Sequence, residues 1–167
     1  MEKLNGLQDL FVHELKDLYS AEQQILQALP RMAKATRHEE LRTAFQEHET
    51  TTREQVKRLD MIADELSVSI KGHKCRGMEG ILKEGEELIE MNGDPDTRDA
   101  ALIGAAQRAE HYEIAGYGTA RTFAQRLGHS RAAELLQQTL KEEGNTDHRL
   151  TSIAEGMVNR DAEKAMR

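Results

Sequence analysis

The sequence predicts an all-α four-helix bundle, and three observations carry that prediction. Apolar residues recur at spacings of three and four along almost the whole chain, and no stretch alternates strictly. Only two prolines interrupt the pattern, Trp is absent and Val is scarce, a composition that disfavours strands. The periodic segments are long and are joined by two short connections and one long one, within a 167-residue chain of about one domain's length.

The first helix is expected over about residues 3–35, with Pro30 kinking or interrupting its last turns. Thr36-Arg37-His38-Glu39 reads as a capping box, in which the Thr hydroxyl and the Glu carboxylate each meet a free backbone N–H. It would start a second helix, over about residues 37–65. Ser67 to Gly77 is polar and glycine-containing, hence a loop, and a shorter helix follows over about 78–91. Asn92-Gly93-Asp94-Pro95 stops it. Asp94 then serves as N-cap and Pro95 as first residue of a third long helix, about 96–127. Gly128 suits a C-cap, and after a tight connection the fourth long helix spans about 131–158. The tail NRDAEKAMR is polar and expected to fray. No repeat or second domain is visible, so residues 1–167 read as one unit.

Short connections make each helix pair an antiparallel hairpin. The middle connection needs about thirty residues and carries its own short helix. Two hairpins joined by one long crossover is the ferritin-like connection, not the simple up-down-up-down one.

Composition bounds the partners. Lys and Arg number 23 against 30 Asp and Glu, a net charge of −7. Nucleic acid and anionic membranes both need clustered cations, so neither is expected. No apolar run approaches the ~20 residues of a membrane span. The opening segment MEKLNGLQDL has acids and no long apolar stretch, unlike a secretory signal. The single cysteine, Cys75, excludes an internal disulfide and suits a reducing cytoplasm, the expected compartment.

Each long helix carries a stripe that is apolar at both ends and polar in the middle. The stripes read Leu4, Leu7, Phe11, Glu14, Leu18, Glu22, Ile25, Leu29 and then Leu41, Phe45, His48, Thr52, Gln55, Leu59, Ile62, Leu66. The other two read Ile103, Ala106, Glu110, Glu113, Tyr117, Ala120, Ala124, Leu127 and Ala132, Leu136, Leu140, Glu143, Asp147, Leu150, Ala154, Met157. In antiparallel helices of similar length the middles meet at one height. Glu22, His48, Glu110, Glu113, Glu143 and Asp147 therefore converge inside the bundle, with Glu14 two turns earlier on the same stripe. Burying so many carboxylates is costly unless they are paired or bound to metal, and mutual repulsion would drive some to take protons. A divalent cation removes both problems, and oxygen-rich sites with imidazole suit iron or manganese, as one ion or two. Other readings stay open: an ion-pair network with Arg108, Arg121 or Arg149, a hydrogen-bonded core histidine, or a proton-sharing acid cluster.

Weaker features accompany the stripes. His73 and Cys75 lie two residues apart in the loop, but a metal site there lacks further ligands. Tyr112 and Tyr117 lie near the acids and serve packing, or hydrogen bonding and electron transfer. Gly144-Asn145 could break the last helix between Glu143 and Asp147, in which case the two acids would not face together.

Certain stretches resemble a known family: HELKDLYSAEQQILQALPRMAKA, FQEHETTTREQVKRLD, CRGMEGILKEGEELI, AAQRAEHYEIAGYGTARTFAQRLG and ELLQQTLKEEGNTDHRLTSIAE. The chain resembles the YciF/YciE-type ferritin-like proteins, a bacterial stress-associated family long described as of unknown function. The likeness runs from about Leu4 to Glu155. It implies a ferritin-like bundle, a homodimer and a di-metal site related to that of rubrerythrins. Metal-binding ferritin-like proteins take one Glu from the first and third long helices and Glu-x-x-His from the second and fourth. Carried onto this chain, Glu22 and Glu110 match the single acids. Thr52 and Gln55 stand where Glu and His are expected, with His48 one turn earlier. Glu143 matches the fourth helix's acid, Thr146 replaces its His, Asp147 adjoins it, and Glu113 is additional.

The resulting expectation is a stress-response protein holding iron or manganese on Glu22, Glu110 and Glu143, then His48, Glu113 and Asp147. Thr52, Gln55 and Tyr117 would orient those ligands or a bound water. As an enzyme it would oxidise ferrous iron or reduce peroxide, with a small oxidant (peroxide or oxygen) as substrate. The alternative is a non-enzymatic structural or partner-binding protein with a vestigial site. An iron-storage cage is weaker, since nothing in the chain signals a hollow assembly.

Overall fold

The computed structural model of the chain describes residues 4–165. Helix α1 spans Leu7–Ala35, α2 Glu39–Leu66, α3 Arg76–Glu90, α4 Pro95–Arg126 and α5 Ser130–Ile153. A π-helical turn, Ala154–Val158, leads into α6, Asn159–Lys164. No strand occurs among the described residues. Helices α1 and α2 form one hairpin, α4 and α5 the other, and α3 lies against α1 and α4 on the crossover. The fold is the all-α, ferritin-like bundle that the connection lengths predict.

Two apolar clusters fill the ends of the bundle. One gathers Ile25, Leu29, Leu41, Phe45, Met78, Ile103, Leu150 and Ile153. The other gathers Phe11, Leu15, Leu18, Leu59, Ile62, Ala124 and Leu136. The polar residues of the four stripes form a layer between them, so the centre of the molecule is its most hydrophilic buried region.

Several ends differ from the sequence expectation. Lys3 lies outside the described residues, α1 starts at Leu7, and Leu4 is exposed rather than part of the stripe. The helix runs through Pro30 without a break, with Pro30 on its exposed side, where water can take up the carbonyl that proline leaves free. The capping box does not form. The Thr36 hydroxyl donates to the Met32 carbonyl (2.8 Å) instead, and α2 begins at Glu39. Asp99 of α4 takes over the cap, accepting from the backbone N–H of Arg37 (3.0 Å) and His38 (2.8 Å). Asp94 and Pro95 cap α4 as expected, with the Thr97 N–H donating to Asp94 at 2.8 Å. Gly128, at φ +80°, closes α4: its own N–H donates to Gln125 and the His129 N–H to Ala124, a Schellman motif. The tail is ordered further than expected. Asn159–Lys164 form α6, and His38 Nε2 lies 3.3 Å from its Asp161. Gly144-Asn145 does not break α5.

Candidate metal centre

Four helices deliver the central layer: Glu22 from α1, His48, Thr52 and Gln55 from α2, Glu110, Glu113 and Tyr117 from α4, and Glu143 from α5. All eight are buried. His48, Glu110, Glu113 and Glu143 each present one donor atom, and these four atoms lie within 4.8 Å of one another. Donors about 2.2 Å from a shared ion lie at most about 4.4 Å apart, so a slight inward movement would close four of them on one cation. Glu22 sits beside this group, next to Glu113.

The hydrogen bonding is incomplete in a specific way. Among the described residues, nine buried polar atoms of this layer have no partner: both carboxylate oxygens of Glu110 and Glu113, one each of Glu22 and Glu143, His48 Nε2, Thr52 Oγ1 and Gln55 Oε1. His48 Nδ1 stands 3.4 Å from Glu110, and its Nε2 stands 4.0 Å from Glu143. Unpartnered buried polar groups cost about 1–3 kcal/mol each, more when charged; protons shared within the Glu22–Glu113 and Glu110–Glu143 carboxyl pairs satisfy some of these atoms, and the rest still mark a place prepared for something else.

Electrostatics point the same way. Burial, then the neighbouring Glu143, holds the Glu22 and Glu110 carboxyls well above the usual carboxylate range. Burial, then Glu22, does the same to Glu113, and burial lifts Glu143 to about 7. Burial lowers the His48 imidazole to about 4, so near neutral pH it is uncharged and keeps a lone pair for a metal. Without a cation the layer relieves repulsion by holding protons.

Guanidinium groups relieve it only in part, through Arg58 near Glu22 and Glu143. Arg149 pairs with Glu47 and Arg121 with Gln137, while Arg108 is exposed on α4. The ion-pair alternative therefore has no cation among the three arginines that sequence suggested. Arg58 sits nearby but is held bidentate by Glu142, at 2.6 and 2.7 Å.

Supporting contacts position two of the acids. The Tyr117 hydroxyl donates to Glu22. The Gln55 amide donates to Glu143 and, at 3.3 Å, to Glu142. Thr52 Oγ1 faces the layer without a partner. The Arg58–Glu142 bracket lies outside the four stripes that the sequence defines. Its signal was Arg58 three residues after Gln55, on the same face of α2.

Asp147 does not join the four. It accepts from Gln107 (3.0 Å) and lies 3.4 Å from His111, toward the rim. Glu14 is only half-buried, away from the layer. Tyr112 also turns away. Its hydroxyl donates to Asp17 (2.6 Å) and stands 3.0 Å from Cys75 Sγ. Cys75 is not a loose loop thiol: it is buried, caps α3 and contacts Asp17 at 3.1 Å.

Comparison with known proteins places the chain among relatives. A family profile described as "Domain of unknown function (DUF892)" matches residues 6–163. Protein YciF of Escherichia coli strain K12 is 48% identical over 161 residues, covering 96% of this chain and 97% of YciF. The crystal structure of that E. coli stress protein matches with a TM-score of 0.90 at 47% identity, over 93% of this chain and 98% of the other. YcfI from Rhodopseudomonas palustris, for which a structural role has been suggested, matches with a TM-score of 0.88 at 35% identity, over 92% and 98%. A Xanthomonas campestris protein at 22% identity and TM-score 0.77, covering 96% and 99%, shares the fold.

Proposed function

The chain belongs to the YciF family, described as a domain of unknown function (DUF892), and from that premise we propose that its central layer binds one or two iron or manganese ions. The observation that carries this reading is the set of nine unpartnered buried polar atoms on residues that are good ligands for such ions. His48, Glu110, Glu113 and Glu143 would hold the first ion, and Glu22 with the spare carboxylate oxygens would serve a second. Asp147 is a weaker ligand in this reading, because Gln107 and His111 already engage it.

The remaining roles follow from contacts. Gln55 holds Glu143 in one orientation and Tyr117 holds Glu22, as partners of ligands do. Thr52 offers a hydroxyl to a bound water. His48, neutral at physiological pH, binds without having to shed a proton. The carboxyl groups release theirs when the cation arrives. Two ferrous ions would supply two electrons, which with two protons reduce one peroxide to two waters. Apolar clusters on both sides keep bulk water out of the layer.

The protein would act as a stress-response protein, in keeping with its stress-protein relative, in a reducing cytoplasm, which its single unpaired cysteine suits, and as a homodimer, which only the family resemblance implies. A second reading has an observation of its own: Thr52 and Gln55 stand where a redox di-iron site would carry Glu and His. In that case the ion is structural and turns nothing over.

Elemental analysis of protein purified without chelator, followed by ferrous-oxidation and peroxide-consumption assays, separates the readings. Bound metal with turnover supports the enzyme, and bound metal without turnover the structural role. Metal content unchanged in Glu110→Gln would remove the site altogether.

A further inference from the structure

Two clefts have His48 in their lining, and their walls differ in chemistry. The first is a narrow cleft between α1, α3 and α4 whose lining includes the buried side chains of His48 and Glu110. Its walls are almost wholly apolar, including Ile25 and Leu29 of α1, Ile81 and Ile89 of α3 and Ala106 of α4. Small residues create the space: a Cβ placed on Gly85 would meet only the Ala105 Cβ, at 3.7 Å. The open space is about 480 Å³ with the solvent at its mouth, but only about 20 Å³ is wide enough for a water-sized body, which is roughly one such molecule. Arg31 and Glu86, both lining the cleft, pair with each other.

The second cleft lies between α2 and α5. Glu47, Thr51, Thr146 and Arg149 line it together with Ala44, Phe45 and Leu150, Glu47 and Arg149 pairing with each other, and it has room of about 120 Å³, enough for several waters. A hydrated ion or a peroxide can exchange hydrogen bonds along this crevice. In the apolar cleft either would surrender them with nothing in return. A nonpolar diatomic molecule surrenders none.

We propose that the apolar cleft is the binding and entry path for a small nonpolar oxidant of dioxygen's class, while hydrated cations, protons and peroxide use the polar crevice. This rests on the metal reading above. The step it would feed is balanced: dioxygen takes one electron from each of two ferrous ions and two protons, and leaves as hydrogen peroxide.

Xenon and nitric oxide are suitable probes. Crystals pressurised with xenon should show the gas between α1, α3 and α4, and an empty cleft overturns the proposal. Nitric oxide should reach anaerobic ferrous-loaded protein about tenfold more slowly in Gly85→Leu, and less markedly slowly in Gly85→Ala. Oxidation of the same samples by peroxide should stay within about twofold. Gly85→Ala adds one methyl into ordinary contact, so it folds and reports even if Gly85→Leu does not. Equal nitric oxide rates in all three proteins, or equal slowing of nitric oxide and peroxide, overturn the proposal. Iron content measured alongside isolates the premise: protein that holds no iron ends the metal reading, and xenon occupancy then decides the cleft alone.

Discussion

Tyr112 and Glu113 are adjacent on α4, yet they enter two polar clusters of opposite character. On Tyr112's side, its hydroxyl, the Cys75 thiol and His73 Nε2 all contact Asp17, while Ser20 accepts from the Cys75 N–H at 2.8 Å and Gln24 donates to the Cys75 carbonyl at 2.9 Å. None of these groups is among the unpartnered buried atoms. On Glu113's side, four carboxyls and an imidazole share a buried layer in which most of the polar atoms have no partner. A satisfied network locks crossover to bundle and serves the fold. An unsatisfied one destabilises the fold and is kept for what it can bind.

That contrast predicts opposite responses. The largest expected effect is metal addition: manganese or ferrous ion at about a thousand times its Kd should stabilise the protein by about 4 kcal/mol. Calorimetry would show this as a rise in Tm on loading and its reversal by chelator. Unchanged Tm would place the two clusters in one class.

Next comes substitution of an acid on each side. Asp17→Ala removes the shared acceptor of Tyr112, Cys75 and His73, and should cost about 2–3 kcal/mol in urea titration. Glu113→Gln in the metal-free protein should cost nothing or stabilise, because a neutral amide of the same shape replaces a carboxyl that burial and Glu22 already press toward its protonated form. The same variant should lose metal.

Gly77→Ala tests the satisfied cluster sterically. A Cβ there would stand 2.6 Å from the Tyr112 ring. The gain in helix propensity should be outweighed, leaving a loss of about 1–3 kcal/mol by thermal melt.

The pH dependence should also differ. Glutamates whose folded pKa is raised stabilise fully below the ordinary value of 4.5, and that stability is lost as pH rises through the folded value, about 7 for Glu143. His48 opposes this: its value falls from 6.5 to about 4, so it adds stability as pH rises across that window. Four raised carboxyls against one lowered imidazole leave metal-free stability falling from about pH 4.5 to above 7, and metal should abolish the fall. Denaturant titrations at several pH values, with and without manganese, check both slopes. Smallest is Tyr117→Phe. It should cost about 1 kcal/mol and weaken metal binding roughly tenfold, read by titration calorimetry.

Periodicity made the bundle and its polar layer legible. Hydrophilic residues at stripe positions of four helices of similar length had to meet at one height, and Glu22, His48, Glu110, Glu113 and Glu143 do. Stripe logic overreached at Asp147. Four residues turn a helix by about 400°, some 40° past one turn, and a short side chain rotated that far finds Gln107 before it finds the layer. Glu14 is eight residues from Glu22, about 12 Å along the axis. The Asp17–Cys75–Tyr112 cluster was illegible because it joins a helix, a crossover and another helix at separations of 58 and 37 residues, and no local period encodes such a meeting. The Asp99 cap of α2 escaped for the same reason, since the local Thr36 signal was satisfied elsewhere.

Anomalous scattering from crystals soaked in manganese, with Glu110→Gln beside the native protein, is the decisive experiment. A peak bounded by His48, Glu110, Glu113 and Glu143, with Glu22 adjoining and the variant depleted, is the expected result. A native layer without ion density, its carboxyls instead sharing protons, or a peak confined to the Asp17 cluster, would contradict it.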